Sequence, residues 1–327
     1  MGPGRLSALG DHRPVRLMLE RTAIVGAGAV GASIAAMMMD AGRPVTLVAD
    51  RERAARLDRD GILVNGERLA PPVDADARGG SPYDLVIVAV KSTHLQSALP
   101  LVARAAGTTG IVVSLLNGIS SEEEIRGVLG QAERVVPAMI LGIDAVRHTD
   151  GSVTYLNRGT IHYGADQQEA PVPDDVLASL GETFDAAGIP SKRSDDIVRT
   201  LWWKFMINVG INQASAVLRA PYGVFQRSQP ARELMSSAMD EVIRLSRAVG
   251  SGLTQADLDA WFETLETLDP GGKTSMLQDV EAGRPTEVDL FADTVVSLGE
   301  RHEVATPVNR TLGRIIRAKE WIAAEGR

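Results

Sequence analysis

The feature that most constrains this chain is a glycine-rich turn, Gly26-Ala27-Gly28-Ala29-Val30-Gly31, set between an apolar stretch and a helix-like one. Thr22-Ala23-Ile24-Val25 before it has the character of a short buried strand, and Ala32 to Ala41 after it reads as a helix that Gly42 stops. Val45-Thr46-Leu47-Val48-Ala49 then reads as a second buried strand, closed by Asp50. A glycine-rich turn that leads from a strand into a helix is the fingerprint of a Rossmann-type, dinucleotide-binding βαβ unit. In that arrangement Gly26 permits the tight turn, Gly28 lets a pyrophosphate approach the backbone, and Gly31 lets helix pack on strand. Ala27, Ala29 and Val30 complete the turn, and the helix N-terminus offers unpaired N–H groups to the phosphates. The G-x-G-x-x-G spacing alone is weak evidence in a chain with 32 glycines. The strand–turn–helix–strand order around it gives it weight.

The end of the second strand leaves the choice of dinucleotide open. Asp50 is placed to accept hydrogen bonds from an adenosine ribose, which favours NAD(H). Arg51 is placed to pair with a 2′-phosphate, which favours NADP(H). A carboxylate beside a phosphate is repulsive unless an arginine screens it, which tips this reading slightly toward NAD(H).

At 327 residues the chain is long for one core, and the length favours two domains. Further strands read at Leu85–Val90, Ile111–Leu116 and Val135–Leu141, with helices over His94–Ala106 and Ser121–Leu129, so the sheet is parallel with right-handed crossovers. Ser152–Leu156 and Thr160–Tyr163, separated by Asn157-Arg158-Gly159, read as a β-hairpin. A helix over Asp174–Ala187 and a strand near Ile189–Ser191 complete the α/β part. Beyond about Ser194 helical spacing takes over, as in Leu234, Ala238, Val242 and Leu245 on one face. The expected architecture is an α/β dinucleotide-binding domain over 21–192 followed by an all-helical substrate domain over 193–327, after a loose extension at 1–20.

Composition excludes more than it assigns. The net charge of −8 argues against a partner built on a phosphate backbone, so no nucleic acid is expected. With no cysteine, thiolate metal sites and a thiol nucleophile are excluded. The five histidines show no metal-ligand spacing, and no metal is expected. No apolar run is long enough to span a bilayer, so no membrane partner is expected and the cytoplasm is the default location.

The second half carries one unusual segment, Leu201-Trp202-Trp203-Lys204-Phe205-Met206-Ile207-Asn208-Val209-Gly210-Ile211-Asn212. In an α-helix Lys204, Asn208 and Asn212 stack on one face, each advanced by about 40°. A lysine and two asparagines among apolar residues are costly to bury without partners. Asparagines satisfying helix contacts and a snorkelling lysine account for that spacing equally well. Further on, Thr274-Ser275-Met276-Leu277-Gln278-Asp279 precedes Gly283-Arg284-Pro285-Thr286-Glu287-Val288-Asp289.

These two segments and WWKFMINVGIN, taken in order with GAGAVG, VKSTHLQSAL and LLNG, resemble the ketopantoate reductase (2-dehydropantoate 2-reductase) family over roughly residues 22 to 320. The resemblance implies an oxidoreductase that reduces 2-dehydropantoate to pantoate, a step toward coenzyme A, with NADP(H) as cofactor; Asp50 keeps NAD(H) open. It implies Lys204 as general acid and Glu287 as its carboxylate partner. It implies that Asn208, Asn212, Ser275 and Asn117 bind the small 2-oxo acid, and that Lys91 and Asn117 face nicotinamide and substrate from the carboxyl edge of the sheet. The residue types suit the reaction, because hydride arriving at a ketone leaves negative charge on oxygen that a protonated lysine stabilises and then neutralises. Two departures stand out: Asp50-Arg51 where such reductases usually place arginine, and Gly271-Gly272-Lys273 where some members carry a substrate-binding asparagine. A reductase of another small 2-oxo acid and a non-catalytic NAD(P)-binding sensor remain alternatives. The resemblance also leaves a homodimer open.

Overall fold

Along the parallel strands, alternate side chains enter two different cores. Ile24, Leu47, Ile87 and Val113 face one way, while Ala23, Val25, Val48, Val86, Val88 and Val112 face the other. Such strands need cover on both sides. In the computed structural model, which describes residues 19–167 and 171–325, helix Ala29–Asp40 covers the first face and helices Leu95–Ala106 and Ser121–Leu129 the second. The extension read at 1–20 lies outside the described residues except for its last two positions.

The main sheet has six parallel strands, in the spatial order Val73–Ala75, Val45–Ala49, Thr22–Val25, Leu85–Val88, Ile111–Ser114, Val135–Val136. Numbered by these strands alone, this is the doubly wound 3-2-1-4-5-6 order of a Rossmann fold, whose crevice opens beyond the carboxyl ends of the first and fourth strands. The fold is thus an α/β Rossmann-type half followed by a helical half, whose core is separate. The last strand ends at Arg193, and helix Ile197–Ile207 begins the helical part.

Two expectations need correction. Val135–Leu141 is not one strand, because Pro137, with no N–H to donate, divides it. Val135–Val136 closes the main sheet, and Ala138–Leu141 joins a separate three-stranded sheet with Thr160–Tyr163 and Ser191–Arg193. Nor do Ser152–Leu156 and Thr160–Tyr163 form a hairpin. Val153–Thr154 pairs instead with Val146–Arg147 across a turn at Asp150-Gly151, where Asp150 Oδ1 accepts from the backbone N and the hydroxyl of Ser152. Asp-Gly is the stronger hairpin signal. The segment after it is turned aside by Asp144, whose Oδ1 accepts from Leu156 N and Asn157 N, both at 2.9 Å.

Candidate active site

The glycine turn is explained position by position. Gly26 has φ +108°, and a Cβ there would lie 2.7 Å from the backbone of Ala89 and Val90, just past the neighbouring strand. A Cβ on Gly31 would lie 1.9 Å from the carbonyl oxygen of Gly26. Packing within the chain demands glycine at both. Gly28 is different: the nearest atom to its notional Cβ is Ala89 O at 3.8 Å. It caps helix Ala29–Asp40 with no side-chain hydrogen bond, and the first turn holds no acidic residue. The first N–H groups therefore have no capping side chain of their own, which fits a pyrophosphate.

At the end of the second strand Asp50 caps helix Arg51–Asp60, its Oδ1 accepting from Arg53 N at 2.9 Å while Oδ2 stands 3.6 Å from Arg53 Nε. Arg51 is exposed and donates through Nε to Asp76 Oδ2 at 2.9 Å.

Four of the remaining candidates, Lys91, Asn117, Lys204 and Glu287, lie where the carboxyl edge of the sheet abuts the helical half. Asn117 follows strand Ile111–Ser114, and its Nδ2 donates to Glu287 Oε2 at 3.1 Å. Ser92, in the turn after strand Leu85–Val88, donates to Glu287 Oε1 at 3.3 Å. Gly118, at φ +96°, lets this loop come close: a Cβ there would lie 2.6 Å from Leu290 Cδ1. Lys91 donates to Asp279 Oδ2 at 3.4 Å, and Arg284 Nε reaches the same carboxylate at 2.7 Å. Ser275 is exposed at the start of helix Ser275–Glu281; its neighbour Thr274 is buried and caps that helix by accepting from Leu277 N.

Lys204 lies in helix Ile197–Ile207, which is pinned to strand Ala138–Leu141 by the contact of Ile197 and Leu201 with Met139. Its Nζ donates to Ile140 O at 2.9 Å. Burial pushes the amine down to about 8, against the pull of Glu287, which raises it. His162, beside the Ile140 strand, is held toward its neutral form by burial first, then by Lys192 and Lys204. The seam thus sets an amine lowered to about 8 within electrostatic reach of a carboxylate fixed by two neutral donors.

Beyond Ile207 the helix widens into a π segment, Asn208–Asn212, before returning to α at Gln213–Leu218. The 40° α-helical advance therefore holds from Lys204 to Asn208 but not on to Asn212, since the hydrogen bonds there run i→i+5. Asn208 is half-buried and Asn212 is 6% exposed. A second π segment, Asp289–Asp293, begins two residues after Glu287 and packs against the first. π turns gather at functional sites. Here each adjoins one of the two charged candidates.

Residues 22–168 match the model of the ketopantoate reductase PanE/ApbA family, and residues 196–320 match the model of its C-terminal part. The chain belongs to the ketopantoate reductase family. A curated relative, the 2-dehydropantoate 2-reductase of Pyrobaculum aerophilum, is 30% identical, the match covering 76% of this chain and 82% of the relative. Among solved structures, a PanE/ApbA family ketopantoate reductase from Ralstonia eutropha JMP134 is 28% identical with a TM-score of 0.79, covering 93% of this chain and 99% of that one. The D-mandelate dehydrogenase complex with NADH and anilino(oxo)acetate superposes with a TM-score of 0.82 over the same shares at 21% identity, a likeness of fold. As a member of this family the chain is an oxidoreductase of the 2-dehydropantoate 2-reductase type.

Ser92, Asp279 and Arg284 carry no sequence signal that assigns them a role. Ser92 and Glu287 are 195 positions apart, and no local pattern announces a contact at that range. The two π segments were equally hidden, because no composition rule separates them from α-helix.

Proposed function

We propose that this chain reduces 2-dehydropantoate to pantoate with NADPH, with Lys204 as general acid. The observation that carries the reading is the half-buried Lys204 amine, poised near pH 8 opposite a Glu287 held by Ser92 and Asn117. When bound, the dinucleotide supplies the hydride. As the carbonyl carbon gains that hydride, the C=O π electrons move onto oxygen, and the Lys204 ammonium gives its proton to that oxygen. The neutral amine is then reprotonated from solvent. Glu287 favours the charged amine before transfer, and Ser92 and Asn117 keep the carboxylate in place without competing for the proton. Asn208 and Asn212 offer amides to substrate oxygens, and Ser275 and Lys91 offer a hydroxyl and a cation to its carboxylate from opposite sides of the seam. In this reading residues 21–192 hold the dinucleotide on the glycine turn and the helical residues from 193 hold the substrate. Arg51, exposed and bound only through Nε, is in this reading the reader of the ribose 2′ position, which supports NADPH.

The test is consumption of NADPH and NADH, side by side, against 2-dehydropantoate and a panel of aliphatic and aromatic 2-oxo acids. Fast turnover of 2-dehydropantoate with NADPH supports the reading. Preference for an aromatic acid would move the substrate toward that of the mandelate dehydrogenase, and tight binding without turnover of any acid would make the chain a sensor.

A further inference from the structure

The turn after the outer strand Val73–Ala75 has no part in the function proposed above, yet it is strained. Asp76 and Ala77 both sit at positive φ, +60° and +53°. Aspartate tolerates this region and alanine does not, so such turns persist only where the surroundings over-determine them, often at functional sites. Here they do. Asp76 N donates to the carbonyl of Ala49, the last residue of the second strand, and Arg104 Nε donates to Asp76 O, both at 2.8 Å. On the far side Asp74 Oδ1 accepts from Arg78 N and Gly79 N, and its Oδ2 accepts from Tyr83 OH.

What this scaffold fixes is the Asp76 carboxylate beside the end of the second strand, where its Oδ2 accepts from Arg51 Nε at 2.9 Å. The Arg51 side chain is 75% exposed. An exposed ion pair of this kind adds little to stability, too little to account for the strain. The contact uses Nε alone, and among the described residues neither Nη of Arg51 has an acceptor. A guanidinium held by Nε with its Nη groups unspent is arranged to grip a phosphate.

We propose that Asp76 is a positioning residue for cofactor choice: it holds Arg51 through Nε so that the Nη donors take the 2′-phosphate of the adenosine ribose. This rests on the NADPH reading above. The wider setting matters, since Asp50 adds a negative charge next to Arg51 while Arg53 offsets it.

The experiment is titration calorimetry of NADPH, NADH, 2′-phospho-AMP and AMP on the full chain and on Asp76→Ala, Asp76→Asn, Arg51→Ala and the double variant. Asp76→Ala is expected to weaken NADPH and 2′-phospho-AMP about tenfold and leave NADH and AMP unchanged. Asp76→Asn, which keeps a carbonyl acceptor for Nε, is expected to restore most of that affinity. Added to Arg51→Ala, the Asp76 change is expected to cost nothing further. Tighter NADPH binding by Asp76→Ala would make the carboxylate a repellent and overturn the proposal. Equal weakening of all four ligands would reduce Asp76 to loop support, and also overturn it. A parent chain that prefers NADH is a separate result, which sinks the cofactor reading itself.

Discussion

At the glycine turn the groups that matter are backbone: N–H donors of one helix, bared by Gly28 and held by close packing at Gly26 and Gly31. At the seam they are side chains from separated segments: Ser92 and Asn117 from sheet-edge loops, Lys204 from a helix, Glu287 from a loop before a π turn. A backbone site needs only a short contiguous motif. A side-chain site needs each partner brought in by tertiary packing. The first kind tolerates little change of shape, and the second is exposed chiefly to changes of charge.

The largest effect expected falls on the charged side. Lys204→Met removes the proposed proton donor, and turnover is expected to fall about 10²-fold or more with dinucleotide affinity unchanged. The same change is expected to stabilise the fold. Folded, Lys204 holds its proton only below about 8; unfolded, it does so up to the ordinary lysine value of 10.5. The unfolded state therefore binds more protons between those values, stability rises with pH across that window, and the full cost of the charge is present below it. Removing it, less the lost hydrogen bond to Ile140, is expected to gain about 1–2 kcal/mol in denaturant melts. A variant that is inactive and also less stable would show that Lys204 is a structural residue.

Next comes a pair that separates shape from ligand at the backbone site. Gly31→Ala forces a methyl against Gly26 O and is expected to lower stability by about 3 kcal/mol and abolish dinucleotide binding. Gly28→Ala meets no protein atom closer than 3.8 Å, so its melting temperature should hold while NADPH binding weakens about tenfold. If both variants lose stability alike, the turn is a packing motif and the contrast with the seam disappears.

How much of each site the sequence disclosed follows from the same difference. The turn was readable because its glycines, flanking strands and helix are consecutive, and five of the six parallel strands showed as apolar runs. The outer strand Val73–Ala75 is not legible in the sequence, because it is three residues long and carries a buried aspartate, Asp74. Lys204, Asn117 and Glu287 were named by resemblance. Spacing placed Lys204 and Asn208 on one face, but nothing local brought Asn117 to Glu287 across 170 positions.

A smaller effect tests the charge coupling within the seam. Glu287→Gln keeps an oxygen for one of its two donors and removes the charge that lifts the Lys204 pKa. Lys204 then loses its proton at lower pH, so the alkaline limb of the kcat/KM profile for reduction, expected near pH 8, should move down. Turnover at neutral pH is expected to fall about tenfold. An unmoved limb would mean that the two charges are not coupled.

The smallest effect lies where the two kinds of site meet. Gly118 is a backbone device serving a side-chain site: its positive φ and missing Cβ let Asn117 reach Glu287 past Leu290. Gly118→Ala strains the backbone and presses on a flexible leucine end, a cost of about 1–2 kcal/mol. Combined with Leu290→Ala the steric part should vanish and the backbone part remain, because only the latter belongs to φ. If the double variant recovers activity as well as part of the stability, close approach of the loop is what Asn117 needs. If stability returns and activity does not, Leu290 itself shapes the seam, and the helical half contributes packing as well as charge.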